Sequence, residues 1–403
     1  MGYGRAGRYV RQPGGYRAFI PKSLPPDPPI AMDEQMWRLL SQADRAIGRL
    51  DGATEVLPNP DLFVAMYVRH ESVLSSQIEG TQATLGDLLE YEAASVQRGI
   101  PGDVAEVVNH VDAMNYGLER LGSLPLSLRL IREIHERLMQ RVRGSQWPPG
   151  EFRTAQNLIG PPGSRLSEAT YVPPPPGEML QALSDFEGYL REDETLPVLV
   201  FCGLAHGQFE TIHPFMDGNG RIGRLLITYL LCQRQILRRP LLYLSYYFKQ
   251  YRREYYDALM AIRDEGDWEG WLKFFLRGVF EVAQGATETG RRILNLREQH
   301  RDLVSASVRG AANGLRLLDL LFKWPMVTVR SVSDQLGVSV PTANGLVNQF
   351  HGLGLLNEIT GASRNRLFSY AAYLSLFEEP LAGQPAPPPT RGPRDVTSAA
   401  TLA

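Results

Sequence analysis

The stretch His213-Pro214-Phe215-Met216-Asp217-Gly218-Asn219-Gly220-Arg221-Ile222-Gly223-Arg224 decides how the rest of the chain is read. It packs one imidazole, one carboxylate, one amide, three glycines and two guanidinium groups into twelve residues. Neither a core nor a solvated face needs that combination. From Arg221 onward, apolar residues fall at Ile222, Leu225, Leu226, Tyr229 and Leu230, a helical stripe, so Gly218-Asn219-Gly220 lies where a loop becomes a helix. The first N–H groups of a helix lack intrahelical partners, its amino end is electropositive, and glycines admit a ligand closely. The junction therefore suits an anion such as phosphate. Arg221 and Arg224, three apart in the first turn, can fork onto phosphate oxygens from one face. Asp217 is placed to hold a Mg²⁺ bridging those phosphates, because Mg²⁺ prefers one or two carboxylates plus phosphate oxygens and water. His213 is the side chain best suited to accept a proton near neutral pH, with an unperturbed pKa of about 6.5.

These residues match, at every specified position, the HPFx(D/E)GNGRxxR motif of Fic-domain proteins, and the chain resembles that family. The resemblance implies a mainly α fold: a Fic-type helical core with a short β-hairpin flap. It also implies a reaction, transfer of AMP from ATP to a Tyr, Ser or Thr hydroxyl of a target protein, the chain itself included, with release of pyrophosphate. By that analogy His213 deprotonates the attacking hydroxyl and Asp217 carries Mg²⁺. Asn219 and the amides of Gly218 and Gly220 hold the α- and β-phosphates, and Arg221 and Arg224 hold the outer ones. Relatives with closely similar sites move phosphocholine, transfer phosphate or remove AMP, so those activities stand as alternatives.

Upstream, residues 1–30 are rich in Gly, Pro and Arg and read as an extended arm. Residues 31–100 read as an N-terminal helical region with helices over about 33–50 and 61–78. The second ends in Ser75-Ser76-Gln77-Ile78-Glu79-Gly80, with Ser75 and Glu79 four apart on one face and Gly80 as a stop. This resembles the inhibitory (S/T)xxxE(G/N) motif of one class of Fic proteins, in which the glutamate reaches the second motif arginine, here Arg224. Such an ion pair would remove the guanidinium from the outer phosphate and misaim the α-phosphate for in-line attack.

Residues 101–300 read as the catalytic core and its following helices, with helical patterns over about 103–121, 127–139, 179–189 and 197–211. Between them, Asn157 to Gly163 and Thr170 to Pro173 are two β-prone pieces around a turn-rich centre, which predicts the hairpin. In the family a flap here pairs with the target backbone; Leu158 stands where many relatives carry an aromatic. His206, Glu210 and His213 recur at i, i+4 and i+7, a metal-like spacing that Pro214 interrupts, so His206 and Glu210 read as orienting groups or satisfied core residues. His70, His110, His135, His300 and His351 show no partnering pattern. By the family analogy Tyr256 flanks the adenine.

Residues 313–379 have the cadence of a winged helix-turn-helix: helices over 314–322, 328–336 and 340–351, then a wing at 355–359 and 367–370. Between Val340 and Phe350 there is no Lys or Arg, leaving Arg330, Arg364 and Arg366 for phosphate contacts, so DNA and protein docking are equal expectations. A nucleotide-sensing transcriptional regulator is the rival from another class, and a flap-based peptide adaptor is a third. A homodimer stays open. Residues 380–403, rich in Pro and Ala, are expected to be disordered. The formal net charge of −2 gives no global field toward nucleic acid or membrane, and no apolar run approaches the roughly 18 residues of a span. Cys202 and Cys232, the two cysteines, sit in apolar helical contexts, which predicts reduced thiols and a cytoplasmic home.

Overall fold

The chain has 403 residues, and the computed structural model describes 4–55, 60–93, 101–142, 147–161, 163–191, 196–362 and 365–378. The tail expected to be disordered lies outside these residues, as does Arg364. At the N-terminus the reading of an extended arm is corrected. Strands β1 (Gly7–Arg11) and β2 (Arg17–Pro21) pair antiparallel, with Tyr9 opposite Phe19. Phe19 is fully buried and its N–H donates to the carbonyl of Val172 at 2.9 Å, so the hairpin is anchored on the flap region. The Gly and Arg content of the segment masked its alternation.

Helices α1 (Glu34–Glu55), α2 (Pro60–Ile78), α3 (Leu85–Ala93), α4 (Gly102–Leu121) and α5 (Leu128–Leu138) follow. Four of the five lie where apolar periodicity puts them. The short α3 is additional, and its signal is a capping box: Thr84 Oγ1 accepts from the Asp87 N–H at 3.1 Å while the Asp87 carboxylate accepts from the Thr84 N–H at 2.8 Å. Gly80, with φ of +100°, ends α2 in a conformation that favours glycine and leaves Glu79 at the helix tip. After α5, the flap holds a single antiparallel bridge, Ile159 with Tyr171, whose two hydrogen bonds measure 2.9 and 3.0 Å. The proline- and glycine-rich centre gives it too few donors for a longer ladder.

Helices α6 (Pro176–Arg191), α7 (Val198–Ile212) and α8 (Asn219–Gln233) build the centre. On α7 every residue from Leu199 to Ile212 is buried, as expected of a helix surrounded on all sides, and α8 packs against it. Around them come α9 (Ser245–Gln250), α10 (Arg252–Glu265) and the 40-residue α11 (Trp268–Ser307), about 60 Å long at the helical rise. Trp268 and Trp271 are buried at its start, and Trp271 Nε1 donates to the Gly203 carbonyl on α7 at 2.8 Å. The far length of α11 packs along α1 and α12.

The C-terminal unit runs α12 (Ala311–Lys323), β3 (Met326–Thr328), α13 (Val329–Leu336), α14 (Val340–Gly352), β4 (Asn357–Glu358), β5 (Leu367–Ser369) and α15 (Ala371–Glu378), with strand order β3-β5-β4. A capping box between Thr328 and Ser331 starts α13, Gly337 turns the chain, and Ser339 caps α14. The unit leans on α2. Trp324 stacks under the Arg69 guanidinium at 4.7 Å, and Phe377 meets Tyr67 and His70 edge-on. Among the described residues no helix is long and apolar enough to cross a membrane, and Cys202 and Cys232 are both free thiols.

Candidate active site

The loop between α7 and α8 is held by its own neighbours before any ligand enters. His213 caps α7 in the left-handed region, φ 50° and ψ 61°, with its N–H on the Phe209 carbonyl at 2.9 Å. That conformation is uncommon outside glycine and needs enforcement. Pro214 stops the helix, and Arg153 supplies the clamp: its Nε donates to the His213 carbonyl at 2.9 Å and its Nη2 to the Pro174 carbonyl at 2.5 Å. Arg153 is buried, which lowers its pKa to about 10. Below it, the Phe215 ring stacks on His135 at 3.7 Å with the planes nearly parallel. His135 Nδ1 accepts from the Gly150 N–H at 2.9 Å, so Nε2 carries the proton and donates to the Asp217 carbonyl at 3.1 Å. Burial brings the His135 pKa down to about 4.

Asn219 works on the loop rather than beyond it. Its Oδ1 accepts from the Phe215 N–H and its Nδ2 donates to the Phe215 carbonyl, both at 2.8 Å, and that carbonyl also accepts from Asn157 Nδ2 at 2.8 Å. The Asn219 amide thus spends one bond from each of its polar atoms on Phe215. What Asn219 offers a ligand is its backbone N–H in the first turn of α8. Gly218, at φ 80°, supplies the left-handed cap of that helix beside His135 and Met139.

Arg224 is buried and triply engaged: Nε donates to Ser75 Oγ at 2.9 Å, and Nη2 to the Ser75 carbonyl at 3.0 Å and Glu79 Oε1 at 2.6 Å. The contact expected of Glu79 with Arg224 is thus formed, and Ser75 adds two hydrogen bonds that the sequence reading did not assign. Glu79 Oε1 lies directly over Gly220, where a Cβ would collide with it. Burial raises the Glu79 pKa, but Arg224 and then Arg221 and His213 pull it below the ordinary carboxylate value. Arg221 is likewise buried and faces Glu106 at 3.4 Å and Asp217 Oδ1 at 3.6 Å. Glu106 in turn accepts from Thr81 Oγ1 at 3.0 Å. Asp217 is 43% exposed; its Oδ1 accepts from the Gly218 N–H at 2.6 Å.

The His213 imidazole is held neutral. Burial, Arg263 and Arg153 lower its pKa to about 3, so it is a proton acceptor at neutral pH but weaker than its unperturbed pKa implied. Glu210, three residues back, lies with Oε2 4.0 Å from His213 Nδ1, and burial raises its pKa to about 7. His206 is a satisfied core residue: Nδ1 donates to the Gly223 carbonyl and Nε2 accepts from Tyr255 Oη, both at 2.8 Å. With both ring nitrogens of His206 engaged, the His206-Glu210-His213 spacing does not converge, and no group of three or more His, Cys, Asp or Glu comes together among the described residues. Tyr256 is 37% exposed at the site's mouth, and burial followed by Glu79 raises its pKa to about 12.

Four contributors escaped sequence reading. Arg153 and Arg263 lie far along the chain from the loop and the end of α7 that they hold, Glu106 carries no local signal, and His135 had no partner at helical spacing. Only tertiary proximity marks them.

A helical core with a clamped loop running into a glycine-opened helix end defines a recognisable class. Residues 37–119 match the Fic/DOC family N-terminal region, and residues 125–231 match the Fic/DOC family. Those two stretches are what the chain shares with the Fic/DOC family. It is 34% identical over 152 residues to the protein adenylyltransferase Fic of Culex quinquefasciatus, a match spanning 37% of this chain and 27% of that protein. With the protein adenylyltransferase Fic of Drosophila grimshawi it shares 28% identity over 204 residues, 49% of this chain and 38% of the relative. The matches therefore cover well under half of these relatives' own length. In structure, a Fic family protein from Desulfovibrio desulfuricans superposes with a TM-score of 0.55 at 19% identity, covering 85% of this chain and 97% of that one. That is a likeness of fold.

Proposed function

We propose that the chain is a protein adenylyltransferase that moves AMP from ATP to a hydroxyl of a protein Tyr, Ser or Thr and is restrained by Glu79. One observation carries the reading: a single carboxylate, that of Glu79, stands over Gly220 at the amino end of α8 and accepts from Arg224 Nη2 at 2.6 Å, in the first turn after the His213 loop. The position suits an anion, and the side chain beside it is a neutral base. ATP entering with its phosphates over Gly218 to Gly220 would meet the N–H groups of the first turn of α8 and, once Glu79 withdraws, the Arg224 guanidinium. Tyr256 would flank the adenine. The acceptor hydroxyl then attacks the α-phosphorus as His213 Nε2 takes its proton. The bond from the α-phosphorus to the bridging oxygen breaks, and pyrophosphate leaves with that oxygen.

Asp217 fits a Mg²⁺ partner: it is a half-exposed carboxylate with one oxygen occupied by Gly218, matching an ion that takes one protein carboxylate and fills the rest of its shell from phosphates and water. When bound, the ion would neutralise charge on the phosphates.

The residue blocks 31–100, 101–300 and 313–379 are proposed as restraining region, catalytic core and winged helix-turn-helix domain. For the last, the helix–strand–helix–helix–strand–strand order supports the reading. Its candidate phosphate-binding cations are largely occupied: Arg330 pairs with Asp334 at 3.1 Å, and Arg366 reaches Asn348. The test of the central proposal is incubation of the Glu79→Gly protein with ATP labelled at the α- or the γ-phosphate. Label in protein only from the α-position supports it, and label only from the γ-position makes the chain a kinase.

A further inference from the structure

Two buried groups beside the base lack partners. Among the described residues, His213 Nδ1 and Glu210 Oε1 are both without a hydrogen bond, although leaving a buried polar atom unpaired is unfavourable. Glu210 Oε2 stands 4.0 Å from Nδ1, roughly 1 Å beyond hydrogen-bond reach. The other acceptors at the end of α7 already have donors, among them the Glu210 carbonyl, which also bears on the His213 ring. The Glu210 carbonyl accepts from Arg263 Nη2 at 3.0 Å, that of Thr211 from Tyr171 Oη at 2.6 Å, and that of His213 from Arg153. Across from Glu210, Gly223 on α8 leaves room: a Cβ there would collide with Oε1. The carboxyl thus occupies the space of the missing side chain, and with the backbone around it pinned, closing the gap to Nδ1 is a rotation of the Glu210 side chain alone.

We propose that Glu210 is the positioning residue for His213: in the reactive state its carboxylate closes on Nδ1–H, fixing the tautomer whose Nε2 receives the proton of the acceptor hydroxyl. This deepens the adenylyltransferase reading and rests on it. The chemistry calls for such a group. Arg263 and Arg153 bear on His213 and disfavour the imidazolium that proton transfer creates, and a carboxylate at Nδ1 offsets them while that charge exists. No proton passes to Glu210; it keeps its charge and accepts a hydrogen bond.

The groups that face Glu210 come from four helices. They are His206 and His213 on α7, Arg224 on α8, Glu79 on α2, and Arg263 with Tyr255 on α10. Burial is the main cause of its raised pKa; Glu79 adds to the rise, while Arg224 and Arg263 oppose it. Removal of Glu79 therefore favours the ionised Glu210. The same event that frees Arg224 readies the carboxylate beside the base.

The test uses the full chain carrying Glu79→Gly as parent, with Glu210→Gln and Glu210→Leu added, and α-labelled ATP. Glu210→Leu is expected to lower kcat on the order of 10²-fold, with the KM for ATP changed less than about twofold, and Glu210→Gln to fall between. In the parent kcat should decline as pH falls through the Glu210 pKa, and in Glu210→Gln that decline should vanish. Nitrogen-15 NMR of the His213 ring with a non-hydrolysable ATP analogue reads the tautomer without turnover. The Nδ1–H form is expected in the parent and a mixture in Glu210→Leu. Unchanged kcat, an acid limb that persists in Glu210→Gln, or an Nδ1–H form retained in Glu210→Leu would each overturn the role, the last by assigning it to the Glu210 carbonyl. A parent that transfers no label would instead count against the adenylyltransferase reading, and the NMR arm would still decide Glu210.

Discussion

Replacing Glu79 by glycine should increase AMP transfer by about 10- to 30-fold. The number follows from one bond. Glu79 Oε1 accepts from Arg224 Nη2 at 2.6 Å, with the arginine side chain 2% and the glutamate 33% exposed. Charge-assisted hydrogen bonds contribute roughly 1.5–3 kcal/mol, and partial exposure of the carboxylate keeps this one near about 1.5–2 kcal/mol. If the outer phosphate must displace that contact before the α-phosphate is aimed, the same energy stands against every productive encounter, and each 1.36 kcal/mol is about tenfold. Arg224 stays oriented in the variant because Ser75 still accepts from it twice. The assay is initial-rate incorporation from α-labelled ATP at saturating ATP, with Glu79→Gln as an intermediate that keeps a neutral acceptor. An unchanged or lower rate in Glu79→Gly would refute the restraint and leave the ion pair structural.

Asn219→Ala leaves the buried Phe215 N–H without its acceptor and should reduce unfolding free energy by about 1–3 kcal/mol in a denaturant titration. Arg153→Met should lower kcat well before it changes ATP affinity, because it releases the His213 carbonyl rather than a phosphate contact; isothermal titration beside rate measurements separates the two. Acid should unfold the protein early. His110, His206 and His213 are lowered to about 3, and His70 and His135 to about 4, in every case first by burial. The unfolded chain takes up protons first, so stability present above about pH 6.5 is lost as pH falls toward 4, at about 1.4 kcal/mol per pH unit per histidine. Flat melting temperatures between pH 6.5 and 4.5 would contradict those burials.

Sequence patterns gave α2, α4, α5, α7 and α8 because each carries its own periodic stripe and a local stop, such as Gly80 or Pro214. The Glu79–Arg224 contact was legible for a related reason: four-residue spacing puts Ser75 and Glu79 on one helical face, and the family resemblance named the arginine. Contacts between distant segments were not legible. Arg153 reaching His213, or His135 stacking on Phe215, depends on where α5 and the flap come to rest, and no local spacing records that. The hairpin of β1 and β2 was missed because arginine and glycine at Gly7, Arg8, Arg11 and Arg17 interrupt the apolar pattern of its strands. In Asn219 the sequence offered a polar group at the right place but not its commitment to Phe215, which only the folded loop reveals.

The most direct measurement is the intact mass of the Glu79→Gly protein after incubation with ATP and Mg²⁺, beside the same protein carrying His213→Ala. The proposed chemistry requires a gain of about 329 Da, one AMP less water, that disappears when His213 is removed. No gain, a gain of about 80 Da matching a single phosphoryl group, or an equal gain without the imidazole would contradict it.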